Sequence, residues 1–202
     1  NMVWAHEAIH SWVGIRVGDR DDPWWKEGTT NYLGFLVSRR NGLCSHAYLR
    51  GTLLADLSDS TDVTGYAMSD EFVRSNLFAR DSNLVDLVYT KGAQVCMLID
   101  RRIREASSGT TGLPRLVGRL TASYDGRVFT RAQYLAFIQS ASGADVADIF
   151  SGYVDSPGVV PDSVLRDNYA ALAAAGAFGD TLAVPPMVTG TELPRRLAGG
   201  SW

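Results

Sequence analysis

Residues 2–13 read Met-Val-Trp-Ala-His-Glu-Ala-Ile-His-Ser-Trp-Val, and at their centre stands His6-Glu7-Ala8-Ile9-His10. Residues four apart lie one helical turn along the same face. A helix here therefore points both imidazoles the same way, so that they can share one metal ion, with the Glu7 carboxylate beside them. The apolar spacing predicts that helix over residues 2 to 13, with Ala5, Ile9, Trp12 and Val13 as its buried stripe and Gly14 as its stop.

Downstream, Gly18-Asp19-Arg20-Asp21-Asp22-Pro23 reads as a turn that ends in an N-cap. Asp22 is expected to accept from the first free amides, and Pro23 suits the first helical position. A second helix is predicted from Trp24 to Arg40, with Asn41-Gly42 as its stop. It carries Glu27, separated from His10 by residues 11 to 26, which is enough chain to reverse direction and lay the second helix antiparallel to the first. His6, His10 and Glu27 are then the candidate ligands of a zinc ion, since catalytic zinc takes three protein ligands and keeps one position open. Glu7 is the candidate base. Asn31, four residues after Glu27 on the same face, is expected to orient an imidazole by accepting its free N–H.

Histidine is scarce, and two of the chain's three fall in this motif. The third, His46, has no motif partner and is read as a helix residue outside the site. Cys44 and Cys96 are read as small buried apolar side chains, with a disulfide as the alternative. Trp4, Trp12, Trp24 and Trp25 are expected to pack in the core around the two motif helices.

The rest reads as mostly helical: Ser45 to Leu57, Leu84 to Glu105 with Val88, Val95, Leu98, Ile99 and Ile103 inward, then 114 to 122, 145 to 153 and 162 to 175. A capping box of Thr130 with Gln133 opens a further helix to about Ser142, closed by Gly143. The stretch rich in Ser, Asp and Thr up to Asn83 reads as irregular, and any short strands are expected within 56 to 83 or in the tail. Beyond Phe178, Pro-Pro and β-branched residues without a helical period predict an extended tail over 179–202.

With 46% hydrophobic residues the chain can bury a sizeable core, and 19 basic against 22 acidic residues leave no basic block for nucleic acid. No apolar run reaches the length of a membrane span, so a soluble protein is expected, in the cytoplasm, the periplasm or outside the cell.

Three blocks, in this order, resemble the gluzincin metallopeptidases, the glycyl aminopeptidase family more than the aminopeptidase N family. They are His-Glu-Ala-Ile-His-Ser-Trp at 6–12, Trp-Trp-Lys-Glu-Gly-Thr-Thr-Asn-Tyr at 24–32, and Val-Tyr-Thr-Lys-Gly-Ala-Gln-Val at 88–95. The block at 24–32 is similar to the family's Trp-x-x-Glu-Gly-x-Thr-Asp-Tyr, and the block at 88–95 to its Tyr-x-Lys-Gly-Ala run. The resemblance implies a mainly α fold with few or no strands, the helical C-terminal subdomain of a thermolysin-like catalytic domain, over residues 1–178. It also implies a zinc-dependent aminopeptidase acting on peptides. By itself Tyr89 reads as core; the resemblance makes it the donor to the oxyanion of the tetrahedral intermediate. Asn31 stands where the family usually has Asp. The family's helix is preceded by a mixed sheet that binds substrate backbone and the free amine, so an upstream domain of the same protein is the expected partner. A non-catalytic helical module of a larger protein, retaining the metal site for binding or scaffolding, is the alternative.

Overall fold

The computed structural model describes residues 2–19, 22–76 and 84–179. Along it run α1 (Met2–His10), β1 (Val17–Asp19), α2 (Pro23–Arg40), α3 (His46–Leu53), α4 (Thr61–Gly65) and α5 (Glu71–Asn76). A π-helical turn over Asp86–Lys91 passes directly into α6 (Gly92–Ala106), followed by α7 (Leu113–Tyr124), β2 (Arg127–Phe129) and α8 (Arg131–Ser142). Then come α9 (Ala147–Ile149), which continues as a π-helical turn over Phe150–Val154, and α10 (Asp162–Ala174). The fold is mainly α, as the apolar periodicity predicts.

The composition of α2 explains its place at the centre. Trp24, Trp25, Tyr32, Leu33, Phe35 and Leu36 are buried, and so are Glu27, Thr29, Thr30 and Ser38, so the helix is enclosed on nearly every side. Its long neighbour α6 buries Val95, Leu98, Ile99 and Ile103 along the expected stripe, with Val88 buried in the turn before it. Where the two helices cross they touch backbone to backbone. A Cβ on Gly28 would lie 2.7 Å from the carbonyl carbon of Gly92, and one on Gly92 would lie 2.9 Å from the Cα of Gly28. Only a hydrogen at both positions permits this approach.

Buried polar groups tie the periphery to this axis. Asp100 of α6, fully buried, accepts from the Tyr32 hydroxyl at 2.8 Å, from Arg104 Nε at 3.1 Å and from the Leu113 backbone N–H at 2.6 Å, so one carboxylate joins α2, α6 and the start of α7. The capping box of α8 forms as expected, with Thr130 accepting from the Gln133 N–H and Gly143 taking a left-handed φ of 78° at the end. Asp22 departs from expectation: it stands at the N-cap position of α2 but makes no capping hydrogen bond. Both its oxygens are taken instead by Arg131, at 2.7 Å each, because a fork of two charge-assisted bonds outcompetes a single amide.

Several boundaries and placements also differ from expectation. α1 ends at His10, not Val13, because the Ser11 and Trp12 amides tighten to the carbonyls three residues back, on Ala8 and Ile9, and Val13 then bridges to Val17. α3 stops at Leu53, four residues early, and the stretch read as irregular holds α4 and α5. The two strands lie elsewhere than expected: β1 pairs in parallel with β2, Val17 opposite Arg127 and Asp19 opposite Phe129. Three-residue strands are too short to show an alternating pattern. Trp24 and Trp25 are buried and Trp12 partly so, but Trp4 is 74% exposed, since two residues before His6 lies on the far side of α1. Cys96 is buried and Cys44 partly so, and both are free thiols. His46 opens α3 at the surface, with its Nε2 3.1 Å from the Tyr169 hydroxyl. Residues 77–83 and the expected tail beyond Gly179 lie outside the described residues. Among the described residues no helix is long and apolar enough to cross a membrane.

Candidate metal centre

α1 and α2 run antiparallel, as the loop length allows. The backbone of His6 lies against Gly34, whose added Cβ would sit 3.4 Å from the His6 nitrogen, while one turn later His10 Nδ1 lies 3.3 Å from the Thr30 hydroxyl. Both imidazoles thereby face Glu27. His6 Nε2 and His10 Nε2 are 3.0 Å apart, and Glu27 Oε2 is 3.4 Å from the first and 3.3 Å from the second. Around a tetrahedral ion with ligand distances of about 2.0–2.1 Å, neighbouring donor atoms lie roughly 3.3–3.4 Å from one another. The two edges to Glu27 have these dimensions, and the edge between the imidazoles, at 3.0 Å, is a few tenths of an ångström shorter.

The chemistry of the three donors fits a divalent cation as well. Glu27 is 2% exposed, and its Oε2 is buried without a hydrogen-bond partner, a state that costs about 1–3 kcal/mol unless something satisfies it. Burial opposes its charge, but the attraction of His6, of His10, of Lys26 and of the Tyr89 hydroxyl outweighs burial and lowers its pKa to about 2. It is thus a carboxylate at any ordinary pH. His10 Nδ1 lies 3.1 Å from the Val13 carbonyl, which can only accept. The ring proton therefore sits on Nδ1, and Nε2 is left with its lone pair directed at Glu27 and His6. Among the described residues, His6, His10 and Glu27 are the one group of three His, Cys, Asp or Glu side chains whose donor atoms converge in this way.

Tyr89 borders the triangle. It belongs to the π-helical turn before α6, its ring stacks on His6 with centroids 5.5 Å apart and planes at 22°, and its hydroxyl lies near enough to Glu27 to be influenced by that carboxylate. Burial, then the charge and hydrogen bond of Glu27 and the charge of Glu7, raise its pKa above the ordinary phenol value, so the hydroxyl keeps its proton. Glu7 follows His6 on α1 and is exposed.

Asn31 lies one turn beyond Glu27 but does not play the part expected from its spacing. Its Nδ2 donates to the Tyr89 carbonyl at 3.1 Å, and the acceptor for the His10 N–H is the Val13 carbonyl. Spacing along α2 cannot foresee this, because the acceptor is created by the turn of chain after His10. Also missed by sequence reasoning were Thr30, against His10, and Lys26, whose ammonium is 3.4 Å from Glu27 Oε1. The close approach of Gly28 and Gly92 had a visible signal, since each glycine stands inside one of the blocks that carry the gluzincin resemblance.

No protein-family model matches the chain. The chain is similar to aminopeptidase N of Caulobacter vibrioides, with 27% identity over 178 residues that take in 85% of this chain and 19% of that protein. It thus spans about a fifth of the length of that curated relative, and the likeness is to an aminopeptidase.

Proposed function

We propose that this chain is the zinc-binding helical part of a gluzincin-type metallopeptidase that hydrolyses peptides from a free amino terminus. The observation that carries the reading is the triangle of His6 Nε2, His10 Nε2 and Glu27 Oε2, with edges of 3.0 to 3.4 Å and an orphaned buried oxygen at one corner. When bound there, zinc polarises a scissile carbonyl and lowers the pKa of a water toward neutrality.

The protein's own residues do the remainder. Glu7, next to His6 and open to solvent, takes the proton of the attacking water and passes it to the leaving nitrogen. Tyr89, held neutral, donates its hydroxyl to the oxyanion that forms on the substrate. Val13 and Thr30 hold the His10 ring, and Lys26 lies beside Glu27. In this reading the groups that grip the substrate backbone and its free amine belong, as the gluzincin resemblance implies, to an upstream domain of the same protein.

The test joins metal analysis to kinetics. About one zinc per chain by mass spectrometry is expected, lost in the His6→Ala, His10→Ala double variant. Glu7→Gln should retain the zinc but lose aminoacyl-nitroanilide hydrolysis by about a thousandfold or more in the full-length protein. Wild-type turnover surviving in that variant would sink the assignment of the base. Zinc bound with no hydrolysis by the wild type would favour the non-catalytic module.

A further inference from the structure

Asn31 and Glu27 stand one turn apart on α2, and both reach the same residue. Glu27 attracts the Tyr89 hydroxyl, and Asn31 Nδ2 donates to the Tyr89 carbonyl at 3.1 Å. That carbonyl sits at the junction between the π-helical turn and α6, where it also accepts from the Gly92 N–H. Between the two contact points Gly28 touches Gly92 backbone to backbone. The tyrosine is thus gripped at its main chain and at its hydroxyl by one rigid helix, and the crossing glycines leave no slack between them. A π-helical turn is short and departs from the regular α ladder, so a lateral bond from a neighbouring helix adds to what fixes where its side chains point.

We infer that Asn31 is a positioning residue for Tyr89, acting as an amide donor through the Tyr89 main-chain carbonyl, and that it does not act on an imidazole. The catalytic consequence rests on the metallopeptidase reading above; the positional one does not. Donor and acceptor roles make opposite demands on the side chain. A carboxylate at position 31 would satisfy an imidazole N–H at least as well as the amide does, but it cannot donate to a carbonyl at neutral pH.

The experiment uses Asn31→Asp, with Asn31→Ala as the uncharged control, each alone and combined with Tyr89→Phe. Zinc occupancy and affinity are measured on all variants, kcat and KM on the full-length protein. Asn31→Asp and Asn31→Ala are expected to lower kcat about tenfold with KM and zinc affinity little changed, and to cost nothing further in the Tyr89→Phe background. A readout independent of activity is the fluorine NMR signal of 3-fluorotyrosine at position 89, identified by its loss in Tyr89→Phe. It should shift or broaden in both position-31 variants of the zinc-free protein. An unmoved fluorine signal in Asn31→Asp, or zinc bound clearly more tightly by that variant than by wild type, would overturn the inference, as would losses that multiply in the double variants. A wild type without turnover but with the expected fluorine response would count against the peptidase reading and leave the positioning role standing.

Discussion

A tyrosine serves as a hydrogen-bond donor only while it keeps its proton, and Tyr89 is placed to keep it. Burial disfavours the phenolate, and the negative charges of Glu27 and Glu7 disfavour it further. The ring also packs on His6, so removing the hydroxyl alone leaves that contact in place. Tyr89→Phe is therefore expected to bind zinc like wild type while kcat falls by about 10² to 10³. Parallel titration of zinc and steady-state kinetics checks this, and an unchanged kcat would remove Tyr89 from the reaction. At this scale the sequence was most informative where chemistry depends on residue type and local spacing, as in the His6–His10 pair. It was least informative for Asn31, whose partner lies 58 residues away along the chain.

At the scale of elements, the site depends on how closely three helical segments approach. α1 passes over α2 at Gly34, and the segment that leads from the Tyr89 turn into α6 crosses α2 at Gly28 and Gly92. An alanine methyl at Gly28 would sit 2.7 Å from a main-chain carbon that has no freedom to swing aside. The helices must then separate, and Glu27 and Tyr89, on either side of the crossing, move apart with them. Gly28→Ala is expected to lose about 1–3 kcal/mol of stability and to weaken zinc binding as well, read by urea unfolding and zinc titration. Full stability with unaltered zinc affinity would show that the crossing is looser than its distances indicate. The long amphipathic helices were legible from period alone, whereas β1, β2, α4 and α5 are too short to carry a period.

For the molecule as a whole, the buried charges set how stability responds to pH. Lys91 is fully buried, and its ammonium donates to the Ser156 carbonyl at 3.2 Å. Burial lowers its pKa from the ordinary 10.5 to about 8. Between these values the unfolded chain holds a proton that the folded chain has released, so this group makes stability rise with pH across that window. Below about pH 8 the folded protein carries the full cost of the buried charge, on the order of 3 kcal/mol. Lys91→Met is thus expected to be more stable than wild type at pH 7, with the difference shrinking toward pH 10.5. Urea midpoints at pH 7 and pH 10 read this directly, and a pH-independent difference would place the lysine in contact with water. The sequence by itself determined the helical class, the second helix and the pairing of two imidazoles with a carboxylate, because each follows from local periodicity, from start and stop residues and from a loop long enough to reverse the chain. Only the tertiary structure decided which group receives the His10 proton, where Asn31 donates and why Asp22 forgoes its cap for Arg131. Each of these is a competition between a nearby partner and one supplied by a distant element, and its outcome depends on packing that local spacing does not contain.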